Sequence, residues 1–150
     1  MAIARRLKIA HDEVFPHGAY LVSDVEPVVD YDRSTAENKV QSTDKDTGLP
    51  VWSVDVLDAD PDATKKNRTV SVKILAKVQP VPPAKPEGAP FTLVVFEGLM
   101  ATVWVDSTRC RPPEPGKGHR CGAQSAWSLR AMGMAAPGKN AQPSGPSKVA

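Results

Sequence analysis

Between Arg68 and Val78 the chain alternates without a break. Val70, Val72, Ile74, Ala76 and Val78 fall on one side, and Thr69, Ser71, Lys73, Leu75 and Lys77 on the other. Such a run of period two excludes a helical repeat and specifies a strand with one face turned inward. Val51–Asp58 repeats the pattern, with Trp52, Val54 and Val56 set against Ser53 and Asp55. In front of it, Asp44-Lys45-Asp46-Thr47-Gly48 supplies a tight turn, because Asp reaches back to nearby amides and Gly accepts φ > 0. Gln41–Asp60 therefore reads as a strand end, a turn and a second strand. The remaining segments must pair with this hairpin or cover it.

The other segments are β-like as well. Phe15-Pro16-His17-Gly18 stops any helix begun at Ala2. Ala19–Asp30 reads as the first strand, with Tyr20, Val22, Val25 and Val28 inward and Pro27 at a bend or edge. Gln79–Pro90 holds five prolines in twelve residues, so it crosses the surface as extended chain and cannot be helix. Phe91–Asp106 is long and β-rich, with a bulge or bend expected at Glu97-Gly98. Beyond the bend Leu99, Ala101, Val103 and Val105 form one face, and Met100, Thr102 and Trp104 the other. A loop, Ser107–Gln124, leads to the last strand, Ser125–Met134, with Trp127, Leu129 and Ala131 inward. Five principal strands and no long helix specify an all-β fold, and a small five-stranded OB-like barrel fits the spacing best. The Pro-rich link stands where that barrel usually carries a helix. One barrel domain is expected over residues 1–134, with a disordered tail over 135–150.

Composition narrows the function classes. Lys and Arg outnumber Asp and Glu by only 19 to 17, so no strong basic field advertises nucleic acid. The surplus is nevertheless concentrated late: residues 79–150 carry eight basic and four acidic side chains. No apolar run approaches the roughly 18 residues that would span a bilayer, and Met1–Ala10 makes a poor signal peptide. A cytoplasmic protein with no membrane partner is expected. There is no Ser/His/Asp trio, phosphate-cradling glycine loop or complete metal set, so neither an enzyme nor a cofactor is expected. Asp46-Thr47-Gly48 has the letters of an aspartic-protease site but needs no explanation beyond the turn. Cys110, His119 and Cys121 match no common zinc spacing and read as part of a plain loop. No metal site is assigned.

The more useful constellation is cationic and aromatic. Single-strand binders on small barrels combine a basic groove with rings on which bases stack. The candidates are Lys66, Arg68, Lys73 and Lys77 around the third strand. Arg109, Arg120 and Arg130 surround the last hairpin, and Trp104 sits on its outward face. Trp52 and Trp127 are expected in the core.

Three stretches carry a resemblance: HDEVFPHGAYLVSDVEPVVDYD from His11, VQSTDKDTGLPVWSVDVLDADPDATKKNRTVSVKI from Val40, and PFTLVVFEGL from Pro90. Together with SAWSLRAMGM near the end, the chain resembles the small actinobacterial activators of plasmid replication, integration and excision. More distantly, the hairpin and the strand count are similar to the helicase processivity factors of Gram-positive conjugative elements. The resemblance implies an accessory protein that switches on replication and excision of a mobile element, but it carries no agreed site residues. Two routes are open. One is direct binding of single-stranded DNA. The other is non-catalytic activation of the element's operon, or an adaptor role, through a partner such as its replication initiator or helicase. No helix-turn-helix pattern is present, so the barrel surface is favoured over entry into the major groove.

Overall fold

Residues 3–138 are described by a computed structural model; most of the tail expected to be disordered lies outside them. The protein is all-β, and its sheet curls into a half-barrel. The strands are β1 (Leu7–Lys8), β2 (Ala19–Leu21), β3 (Glu26–Pro27), β4 (Val51–Asp58), β5 (Thr69–Leu75), β6 (Thr92–Glu97), β7 (Met100–Asp106), β8 (Gln124–Ala131) and β9 (Gly133–Ala135). A single helical turn, α1 (His11–Val14), follows β1. The sheet order is β1-β7-β8-β5-β4-β2-β6-β9, with β3 added to β4. Nine short strands thus replace the five expected. No helix among the described residues is long and apolar enough to cross a membrane.

Most of the extra strands arise by division of expected ones. β6 and β7 are separated only by Gly98 and Leu99, and Gly98 takes φ +59°. β8 and β9 are separated by Met132 alone. Arg130 pairs with Met100, and Gly133 with Glu97, so the register is unbroken across both gaps. The four strands therefore form one long antiparallel ribbon with a corner at Gly98 and Met132. Across the corner the Met132 N–H donates to the Glu97 carbonyl at 2.8 Å. A Cβ on Gly98 would stand 2.9 Å from Met132 Cγ. The bend expected at Glu97-Gly98 is present, and it sends β6 to pair with β2 while β7 pairs with β1 and β8.

The core lies inside the curl. Val54, Val56, Val72, Ile74, Val94 and Ala131 are fully buried there, joined by Leu21, Phe96, Leu99, Ala101 and Leu129. The alternation in β4 and β5 predicts these faces correctly except at Leu75, expected on the outer face with Lys73 but 1% exposed at the end of β5. Trp52 is half-buried against the core, and its Nε1–H donates to the Ala76 carbonyl at 3.0 Å.

Three inward assignments are corrected. In the first strand Ala19 and Leu21 are buried, whereas Val22 is exposed and Tyr20 half-buried. Apolar residues run consecutively from Ala19 to Val22, so pairing sets the phase: Leu21 lies opposite fully buried Val56. Val78 is exposed because β5 stops at Leu75, whose partner Val51 follows Pro50. Pro50 has no N–H to extend the ladder; its carbonyl accepts the Ala76 N–H at 3.1 Å. Trp127 is 61% exposed. β5 pairs with β8 only over Leu129–Ala131, so the outer half of β8 has no neighbour on that side.

α1 plugs one end of the core. His11 is buried, its ring packed against Phe15 and Phe96, and its Nδ1 accepts the Phe96 N–H at 3.2 Å. Burial holds the His11 pKa below the ordinary 6.5, only partly opposed by Asp12. Since the unfolded chain then takes up this proton at higher pH than the folded one, the contribution of His11 to stability is fully present above pH 6.5 and is lost as pH falls from there through the lowered value. Melting temperature measured across this range should show that decline, and His11→Gln, which keeps an acceptor but does not titrate, should flatten it.

Candidate nucleic acid interface

The turn Asp44–Gly48 forms as its residues require. Gly48 takes φ +73°, and its N–H donates to the Asp44 carbonyl at 2.7 Å. The Asp44 carboxylate accepts the Thr47 N–H at 3.0 Å and the Thr47 hydroxyl at 2.9 Å. The strand end expected before this turn is reduced to single bridges, Val29 to Gln41 and Thr43 to Pro50. The turn is anchored from outside the hairpin. Arg6 donates to both Asp44 oxygens, from Nη1 at 3.0 Å and Nη2 at 2.6 Å, while its Nε lies 3.3 Å from Asp46. Arg130 Nη1 stands 3.7 Å from the same carboxylate. Asp44 is 3% exposed, and the Arg6 hydrogen bonds, helped by Thr47, hold its pKa well below the usual carboxylate range. Arg6 is correspondingly raised by its bonds to Asp44.

This anchored turn forms one wall of a groove of about 640 Å³. Its floor is the face of β4, β5, β7 and β8 turned away from the core: Val51, Lys73, Thr102, Trp104, Ser128 and Arg130. Strand alternation accounts for the set, since Lys73 is the Cα partner of Arg130, and Thr102 of Ser128. Arg5, Arg6 and Lys45 complete the rim, so five cations face two carboxylates, Asp44 and Asp46. Both carboxylates are engaged by arginine. Lys73 has no ion-pair partner among the described residues, and burial, with the neighbouring Arg130 charge, lowers its pKa. Trp104 is 48% exposed on the same face. Two adjacent cations thus share this face with an open indole farther along it, the charge and the ring surface that an anion carrying a flat ring requires.

Of the eight residues expected to bind, the groove gathers Lys73, Trp104 and Arg130. Lys66 lies in the exposed β4–β5 connection. There Arg68 is occupied locally, its Nη2 donating to the Ala63 carbonyl at 2.6 Å. Lys77 is exposed beyond the end of β5. Arg109 and Arg120 lie in the loop at the ribbon tip, Arg120 beside a small hollow lined also by Arg111, Glu114 and Lys117. Sequence reasoning missed Arg5, Arg6 and Lys45. Lys45 sat inside a motif read only as a turn, and Arg5 and Arg6 reach the groove by a contact between segments distant in sequence. Comparison with known protein families, curated proteins and solved structures found no match for this chain.

Because Asp44 neutralises Arg6 and steadies Arg130 in a buried setting, its loss leaves uncompensated charge. Asp44→Ala should lower unfolding free energy by about 3 kcal/mol in denaturant titrations. Asp46→Ala, at an exposed carboxylate, should change it by less than about 1 kcal/mol.

Proposed function

We propose that this protein is a non-catalytic accessory activator of the replication, integration and excision of a mobile element, and that it acts by binding single-stranded DNA along the groove. The observation that carries the binding half is the side-by-side placement of Lys73 and Arg130 on a face that also bears exposed Trp104. Arg130 already has Asp44 at 3.7 Å, whereas Lys73 beside it has no ion-pair partner among the described residues, and like charges on neighbouring strands are unfavourable without a counter-charge. A phosphate backbone supplies that charge, and a base can stack on the indole. The mobile-element half rests on the resemblance carried by His11–Asp32, Val40–Ile74 and Pro90–Leu99.

The connectivity supports an OB-like barrel as the scaffold. With β6–β7 and β8–β9 each counted as one bent strand, the strands led by β2, β4, β5, β6 and β8 number five. Each then neighbours two of the others, and β5 runs parallel to β8. OB-folds bind oligonucleotides on the face of strands 2 and 3 and with the loops joining strands 1–2 and 4–5. In this reading β4 and β5 supply that face, the Asp44 turn is the first loop, and Arg109 and Arg120 lie in the second. A second reading, a protein adaptor or operon activator, is favoured by exposed Val78 and Val81, at 75% and 84%, in and beside the Pro-rich link.

Quenching of tryptophan fluorescence by oligo-dT should weaken steeply as salt rises, because phosphate contacts release counterions. Trp104→Ala should cost about 1–3 kcal/mol of affinity. Lys73→Ala should weaken binding and reduce the salt slope by about one. Salt-independent binding, or full affinity in a folded Trp104→Ala variant, would falsify the proposal. Binding to duplex alone would transfer the reading to promoter activation.

A further inference from the structure

The outer end of the β7–β8 ribbon brings together three side chains that sequence spacing alone does not relate. The loop closes through one bridge, in which the Arg111 N–H donates to the Arg120 carbonyl at 3.2 Å. Next to that bridge Cys110 and Cys121 come face to face. One step further back, a Cβ on Gly122 would stand 2.7 Å from the Arg109 carbonyl oxygen, so only glycine lets the two chains approach this closely. His119 and Cys121 flank the bridging residue Arg120, and both bring a ligand atom to Cys110. The two Sγ atoms and an imidazole nitrogen all lie within 4.8 Å of one another. Cys110 is half-buried and the other two are exposed, so the cluster is open to solution.

We propose that Cys110, His119 and Cys121 bind a single zinc ion. Two thiolates and an imidazole are the donors zinc takes, whereas magnesium and calcium require oxygen. Zinc–sulfur bonds of about 2.3 Å and zinc–nitrogen bonds of about 2.0 Å place tetrahedral ligand atoms about 3.5–3.8 Å apart. The present separations, all within 4.8 Å, are brought to that range by side-chain rotation that moves the ligand atoms by about one ångström. Binding releases the two thiol protons, and the two thiolates then neutralise the ion. The fourth position is left to water or to a ligand from outside the described residues. The ion ties the two arms of the tip loop together and fixes the backbone from which Arg109, Arg111 and Arg120 project. This assignment rests on the loop's own geometry and stands independently of single-strand binding in the groove.

The test is titration of the full-length chain, reduced and freed of metal with a chelator, first with cobalt(II) and then with zinc(II). One equivalent of cobalt should produce the strong visible bands of a tetrahedral site together with a thiolate-to-cobalt charge-transfer band, and zinc should displace both. His119→Ala should weaken cobalt binding by about tenfold or more. Cys121→Ser should remove most of the charge-transfer intensity while the circular dichroism of the sheet is retained. Absence of the charge-transfer band in the reduced chain overturns the proposal, as does an affinity unchanged by His119→Ala. A Cys110–Cys121 disulfide in chain isolated without reductant, with no metal uptake after reduction, overturns it in favour of a covalent clasp.

Discussion

The fold depends on one corner. β6–β7 and β8–β9 hold a single register along their whole length, so the ribbon must bend if its two halves are to meet opposite sides of the same core. The bend falls where Gly98 has a positive φ and where the opposite strand presses Met132 against it. With the corner made, β6 lies against β2 and β8 against β5, and the sheet curls around Val54, Val56, Val72 and Ile74. Without it the same strands would form a flat ribbon with both faces wet. The curl also fixes which face of β5 and β8 looks outward, and thus where Lys73 and Arg130 stand.

Electrostatics then divides the groove into two parts. Asp44 is surrounded by donors, and Arg6 and Arg130 are drawn towards it from the N-terminal segment and from β8. That cluster is internally satisfied and serves as structure. Lys73 lies beyond the reach of these carboxylates and shares its surroundings with a second cation. Asp44 and Asp46 thus offset Arg6 and Arg130, and the surplus positive charge of the groove is that of Lys73 on the floor and Arg5 and Lys45 on the rim. A groove built this way ties Arg6 and Arg130 to the protein's own carboxylate and leaves Lys73 as the floor cation with no ion-pair partner among the described residues.

Much of this was readable in the sequence, and the rest fails for identifiable reasons. β4 and β5 were recoverable because their alternation is strict and their inner faces are aliphatic. The first strand was misphased because four consecutive apolar residues, Ala19 to Val22, fit either face until a partner is known. Trp127 was misplaced because alternation reports which side a residue faces but not whether anything covers that side. At the site, Lys73, Trp104 and Arg130 were within reach through alternation and charge. Arg5, Arg6 and Lys45 were not, since the groove is assembled by contacts between segments separated by tens of residues, such as Arg6 with Asp44. Cys110, His119 and Cys121 converge through a bridge and a glycine contact that no spacing rule encodes.

The N-terminal segment has a further consequence for how the molecule is made. β1 pairs with β7, α1 packs through His11 onto Phe96, and β2 is flanked by β4 and β6. Nearly all of these partners lie in the middle or the second half of the chain. A ribosome therefore releases the first strands long before their neighbours exist, while the β4–β5 hairpin completes itself within one short stretch. Such a chain has high contact order, and its final closure joins its earliest residues to some of its later ones. Folding would then proceed outward from the hairpin, with Leu7, His11 and Ala19 docking only after the ribbon has turned its corner.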